Sequence, residues 1–329
     1  MSPDTMPSLD IVIPVFNENA ALRPFHQLLC SIVDSLPYQI RILYINDGSR
    51  DETQTLLESL AGTDKRIFIL ELSRNFGHQA ALTAGMELAD ADYVLTMDGD
   101  GQHPPAMIPE MLRLAQQGYD LVLTQRVDET GLSSFKKATS TWFYTLINQI
   151  GDTTIMPGGA DFRLLSRKVV QAINAMPEYH RFLRGMISWV GFKSTILPFT
   201  PPPRLAGKSK YSLKKMVQLA SDAVFSFSLV PLMISITVGA GFLVLALIEA
   251  VYVLNFWVTG NTQNLAPGWS SLMFMLLLVG GSIMISLGLL GMYIGYIFQE
   301  VKRRPKYIVR QIVSMEHVAE NKKDSNKLT

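Results

Sequence analysis

The chain has 329 residues, long enough for one large domain or two modest ones, and its 29 Lys plus Arg against 28 Asp plus Glu leave a formal charge of +1 that gives no basis for nucleic acid as a partner. Hydrophobic residues reach 48% and charged residues only 17%, below the ~25% charged that is usual for soluble domains, so part of the chain is expected outside water. The single cysteine, Cys30, excludes an intrachain disulfide, a CxxC redox pair and a cysteine-based zinc site, and it fits a reducing compartment.

The opening MSPDTMPSLD lacks a basic stretch followed by an apolar core, and no signal peptide is expected. Short β-rich runs then alternate with amphipathic stretches: LDIVIPV, QIRILYI, RIFILEL, DYVLTM and DLVLT, with helices expected around residues 20–35, 52–60, 78–88 and 105–117. That alternation predicts an α/β domain with a largely parallel sheet. Ligands of such sheets bind beyond the carboxyl ends of the strands, and those ends are polar here: Asn17 and Glu18, Asp47, Arg74 and Asn75, Asp98 and Asp100, and Arg126.

Residues 134–150 and 212–227 have the spacing of amphipathic helices, suited either to a membrane surface or to packing on the sheet. Next come two long apolar runs, 229–258 with Glu249 as its one charge and 269–298 with none, each longer than the ~20 residues of a membrane-spanning helix. They predict a transmembrane helical hairpin joined by an uncharged extracytoplasmic loop, 259–268. Basic residues stand before the first run and after the second, and no Lys or Arg lies between Lys215 and Lys302. Both termini are therefore expected in the cytoplasm, with a multi-pass location in the plasma (inner) membrane. The tail from about Glu316 is polar and poor in aromatics.

The sharpest chemical feature is MDGDGQHPP, in which Asp98 and Asp100 flank one residue just after a strand. Two carboxylates from one turn suit a hard divalent cation with positions left for phosphate oxygens. A departing diphosphate would need such an ion, together with basic side chains. Neither GxxxxGK[ST] nor a GxGxxG opening a helix after the first strand is present, which disfavours ATPase and dehydrogenase readings.

In order along the chain, IPVFNEN, INDGSRDET, SRNFGHQAAL, MDGDGQHPP, ADFRLLSR, RLAGKSKYS and RRPKYIV resemble the polyprenyl-phosphate glycosyltransferases, inverting enzymes of GT-A fold such as bactoprenol glucosyltransferase and dolichyl-phosphate mannose synthase. The likeness extends to about Ile312, with one departure: the family often has an aliphatic and an acidic residue where this chain has Gly101 and His103. It implies a cytoplasmic GT-A nucleotide-sugar-binding domain (1–211), a juxtamembrane amphipathic helix (212–228), the hairpin and a cytoplasmic tail (299–329). The implied reaction transfers one hexose, with UDP-glucose preferred over UDP-N-acetylglucosamine and GDP-mannose, to undecaprenyl phosphate with inversion, for glycosylation of cell-surface polymers such as lipopolysaccharide.

The same resemblance implies the site. Pro14, Asn17 and Glu18 line the nucleotide pocket, Asn17 having helix capping as its alternative. Asp47 meets the base or ribose, Arg74 belongs to the donor side, and Asp98 is the nucleotide-side acid, while Asp100 and Gln102 bind Mg²⁺ or Mn²⁺. Asp161 matches the proposed catalytic base, with Arg163 beside it. A phosphate monoester is largely dianionic at neutral pH, so Asp161 has orientation of the acceptor or of Arg163 as its alternative role. Arg126, Arg204, Lys208, Ser209 and Lys210 are expected at the donor diphosphate and lipid phosphate, with an anionic-lipid anchor as the alternative for the lysines. Cys30 and His78 carry no assigned role, and RRPKYIV is expected to form a strand able to pair with a neighbouring copy in a homo-oligomer. Rival classes are a non-catalytic sugar-nucleotide-binding membrane regulator and a lipid-sugar translocator.

Overall fold

The computed structural model describes residues 6–127, 156, 158–179, 181–203, 230–260 and 268–314. The helices expected at 134–150 and 212–228, the loop carrying Arg204, Lys208, Ser209 and Lys210, and most of the inter-helix loop lie outside the described residues.

The alternating first half folds as its hydrophobic periodicity requires. Strands β1 (Ser8–Val15), β2 (Gln39–Asn46), β3 (Ile67–Leu72) and β4 (Tyr93–Thr96) alternate with helices α1 (Asn19–Val33), α2 (Thr53–Ala61) and α3 (His78–Leu88). A single 3₁₀ turn, Pro105–Met107, leads into α4 (Ile108–Gln116), which is followed by β5 (Leu121–Arg126). β1 is buried on both faces, as its unbroken apolar run demands. Pro14, which has no N–H to give, lies past Val12, where the pairing with β4 ends.

Beyond β5 the chain adds β6 (Gly159–Ser166), α5 (Arg167–Asn174), α6 (Leu183–Trp189) and β7 (Ser194–Phe199). After two long helices, α7 (Val230–Val258) and α8 (Trp269–Lys302), comes β8 (Val309–Val313). The strands form one eight-stranded sheet in the order β7-β5-β6-β4-β1-β2-β3-β8. The sheet is mostly parallel, but β6 runs antiparallel to β4 and β5, and β8 antiparallel to β3. The expectation of a largely parallel sheet is thus refined to a mixed one.

That reversal decides where the chemistry sits. The carboxyl ends of β1 to β4 point one way, and because β6 runs oppositely, its amino end with Asp161 arrives beside the end of β4, where Thr96 pairs with Arg163. Two apolar layers hold the sheet: Leu22, Phe25 and Leu29 of α1 and Met111 of α4 cover one face with Phe162, while Ala81 and Leu82 of α3, Val169 of α5 and Met186 of α6 cover the other. Full burial of each Leu or Phe contributes about 1.5–3 kcal/mol.

α7 and α8 pack against each other and expose large apolar side chains such as Leu247, Val251 and Ile285. Among the described residues one stretch, Leu278–Lys302, is long and apolar enough to cross a membrane, with mean hydropathy 1.8. α8 runs beyond the expected 298 to Lys302 and stops at Arg303, whose φ of 47° is left-handed. The strand expected around RRPKYIV begins at Val309, the last residue of that run, and pairs within the chain, on the open edge of β3.

Candidate active site

The loops after β1, β2 and β3 are fastened to one another. Asn17 (φ 52°) accepts the Arg50 N–H through its side-chain oxygen at 2.8 Å and donates its own N–H to Ser49 Oγ at 3.0 Å. It therefore braces two loops rather than capping α1, whose amino end has no side-chain cap. The Glu18 N–H donates to Thr53 Oγ1 at 3.0 Å, tying the same corner to α2. Asp47 is buried, and its two carboxylate oxygens accept the N–H groups of Phe76 and Gly77 at 2.7 and 2.9 Å. Burial pushes its pKa up despite these bonds. Its carboxylate thus holds the 73–77 loop. Gly48 lets the loops meet backbone to backbone: at φ 64°, a Cβ there would fall 2.4 Å from the Arg74 carbonyl carbon. Arg74 is exposed and lies over the Phe76 ring at 4.3 Å.

In the MDGDGQHPP loop, Asp100 Oδ1 accepts the Gln102 N–H at 3.0 Å, a local turn that sets both candidate ligands on one short segment. The departures from the family pattern have local reasons. Gly101 sits at φ 83°, a conformation an aliphatic side chain would strain. His103 is fully buried, stacks on Phe162 with centroids 5.2 Å apart, and accepts the Asp98 N–H through Nδ1 at 2.9 Å. Burial lowers its pKa, so it is a neutral prop for the loop; its Nε2 lies 3.7 Å from Asp98 and 3.4 Å from Arg126.

Opposite this loop stands Asp161, buried and surrounded by cations. Arg163 and Arg184 both bond its carboxylate, the latter at 3.0 and 3.2 Å, and His78 Nε2 lies 3.4 Å from Oδ2. The same His78 nitrogen is 3.6 Å from Asp98, so the imidazole bridges Asp98 and Asp161. Burial acts to raise the Asp161 pKa, but Arg184, Arg163 and His78 outweigh it and hold the carboxyl well below its ordinary value. For His78 burial acts downward, and the Asp98 and Asp161 carboxylates overcome it, raising the pKa to about 9.

A pH test follows. A group raised from 6.5 unfolded to about 9 folded contributes stability that is complete below the lower value and lost as pH climbs through the upper one. In chelator-treated protein the unfolding temperature is expected to fall across that window. His78→Gln should flatten the fall, and identical slopes in both proteins would refute the imidazolium bridge.

Of the residues expected at the site, Asp98, Arg126, Asp161 and Arg163 converge, with Asp100 and Gln102 in the adjoining turn. Pro14 is buried in β1, and Asp47 holds the 73–77 loop. Sequence reasoning missed two participants. His78 is the first residue of α3, and Arg184 sits in a seven-residue helix too short for a periodic signal; only its place in the Arg-rich RFLRG hinted at it. Elsewhere His26, Cys30 and Asp64 come together on two segments, but Arg66 binds the Asp64 carboxylate at 2.7 Å and burial pushes the Cys30 thiol to about 11, so this is a packed ion-pair corner.

The strand-end DxD thus stands across His78 from a buried carboxylate among arginines. Residues 10–173 match the model of Glycosyl transferase family 2. The chain is 38% identical over 312 residues to the uncharacterized glycosyltransferase YkcC of Bacillus subtilis, covering 93% of this chain and 94% of that protein. It is also 38% identical over 307 residues to the prophage bactoprenol glucosyl transferase homolog of Escherichia coli, covering 92% and 99%. Among solved structures it matches glucosyl-3-phosphoglycerate synthase from Mycobacterium tuberculosis in complex with Mn²⁺, UDP-glucose and phosphoglyceric acid, at 14% identity and TM-score 0.44 over 67% of this chain and 78% of that one. The chain belongs to glycosyl transferase family 2 and is a glycosyltransferase with a GT-A-like α/β fold.

Proposed function

We propose that the enzyme transfers glucose from UDP-glucose to undecaprenyl phosphate with inversion, giving a polyprenyl-monophosphate sugar for glycosylation of cell-surface polymers. The observation that carries this reading is the 38% identity, over nearly all of both chains, with a bactoprenol glucosyl transferase homolog. The site is consistent with it. Asp100 and Gln102 offer a hard, all-oxygen donor set in one turn, which fits Mg²⁺ or Mn²⁺. When bound, that ion neutralises charge on the departing diphosphate.

The chain's own residues do the rest. Asp98 faces the donor, and Arg126 supplies charge near it. The acceptor phosphate arrives as a nucleophile already largely dianionic, so no strong base is required. Asp161, held well below the usual carboxylate range, is a weak base and a firm anchor: it fixes Arg163, Arg184 and His78, whose positive charges attract the acceptor phosphate. Arg204, Lys208, Ser209 and Lys210 complete the acceptor side.

α7 and α8 serve as the two spans of a hairpin in the inner membrane, with the catalytic domain and both termini cytoplasmic. Their exposed apolar surface and the basic Lys302, Arg303, Arg304 and Lys306 at the exit support this placement. The acceptor phosphate then meets the site at headgroup level while its chain stays in the bilayer.

The deciding experiment offers radiolabelled UDP-glucose, UDP-N-acetylglucosamine and GDP-mannose to membranes containing the enzyme and undecaprenyl phosphate. Label from UDP-glucose is expected in an organic-soluble, acceptor-dependent product. Lipid labelling from another donor alone overturns the sugar, and donor turnover with no lipid product overturns the acceptor.

A further inference from the structure

The transfer reaction by itself leaves Glu300, Tyr307 and Arg310 without a role, yet these residues touch the segments that carry His78 and Arg184 to Asp161. Glu300, in the last turn of α8, accepts the Tyr179 N–H at 2.8 and 3.0 Å. Tyr307 donates its hydroxyl to Glu87 Oε2 at 2.6 Å, and Arg181 Nη1 stands 3.7 Å from the other oxygen of Glu87. The Ile308 carbonyl accepts the Ser73 N–H at 2.8 Å. Arg310 donates to the Ser73 carbonyl at 2.8 Å and pairs with Glu71 at 2.5 Å.

Each anchor is the far end of something whose near end enters the site. Ser73 opens the loop that wraps Asp47 and delivers His78. Glu87 is near the end of α3, which begins at His78. Tyr179 and Arg181 lead into α6, which carries Arg184. Arg181 is a buried guanidinium whose Nε and Nη1 have no hydrogen-bond acceptor among the described residues, so the clamp on Glu87 also balances a buried charge. Burial raises the pKa of Tyr307, keeping its hydroxyl a donor.

We propose that residues 300–313 form a strap in which Glu300, Tyr307 and Arg310 are positioning residues for glycosyl transfer, holding His78 and Arg184 on Asp161 from behind. The proposal rests on the glycosyl-transfer reading. Its physical basis is tolerance: Arg184 and His78 approach Asp161 to 3.0 and 3.4 Å, and a displacement of about 1 Å at a reacting centre can cost a hundredfold in rate. Because the strap leaves directly from α8, the seating of that helix and the geometry around Asp161 are mechanically joined.

The test uses the full-length enzyme carrying Tyr307→Phe, Arg310→Gln, Glu300→Gln or the conservative Arg310→Lys. In the first three, kcat is expected to fall roughly two- to thirtyfold, the span typical of networked residues that touch no ligand, while donor KM stays within about twofold. Arg310→Lys should recover most of the rate. Hydrogen exchange should quicken at residues 73–78 and 183–189 in Arg310→Gln and Glu300→Gln respectively. Wild-type kcat in both Tyr307→Phe and Arg310→Gln overturns the strap, as does a loss explained wholly by less folded protein at unchanged kcat per folded enzyme. If the wild type itself forms no lipid-linked sugar, the functional reading fails instead, and exchange at those segments then judges the strap alone, with unchanged protection refuting it.

Discussion

Asp161→Asn is expected to lower transfer by about a hundredfold or more, with donor affinity nearly unchanged. The substitution keeps the size of the side chain and removes its charge, leaving Arg163, Arg184 and His78 crowded together without the carboxylate between them. Breaking a buried ion cluster in this way also costs about 3–5 kcal/mol of stability, so activity must be referred to the folded fraction. The pH profile separates anchor from base. A carboxylate held well below its ordinary pKa stays ionised throughout the neutral range, so the acid limb should follow the acceptor's second phosphate ionisation near ~6 and persist in the variant. Disappearance of that limb in Asp161→Asn would restore the proton-acceptor role. Its stability contribution runs opposite to that of His78: it is present above the unfolded carboxylate pKa and lost as pH falls through the depressed folded one.

The second large effect is at the 98–102 turn. Asp100→Ala is expected to reduce turnover on the order of a thousandfold, as for loss of a principal electrostatic group at a leaving oxygen, and excess chelator should do the same to the wild type. Stability without metal should change little, since the hydrogen bond that Asp100 accepts from the Gln102 N–H is worth about 1 kcal/mol. Calorimetry with Mn²⁺ gives a reading apart from turnover: binding in the wild type and its loss in the variant. Full activity in chelator would remove the ion from the reaction.

Much of this protein is determined by local sequence. The period-two and continuous apolar runs from β1 to β5 and the intervening helices follow from burial of one stripe per helix and both faces of central strands, which any window of the chain displays. The DxD turn is legible for the same reason, because its two acids and Gln102 lie within five residues. The long apolar runs likewise declare two helices by length and composition.

Tertiary structure decided the remainder. The antiparallel direction of β6, which puts Asp161 opposite Asp98, depends on pairing with both β4 and β5, a non-local choice no window contains. That Asp47 accepts the N–H groups of Phe76 and Gly77, 29 and 30 residues away, shows only once the chain is folded. His78 and Arg184 look ordinary in sequence, since separations of 83 and 23 residues from Asp161 vanish only when the sheet is assembled. RRPKYIV announced a strand but not its partner: an open edge accepts any extended backbone, and the closure of β8 on β3 is set by where α8 releases the chain.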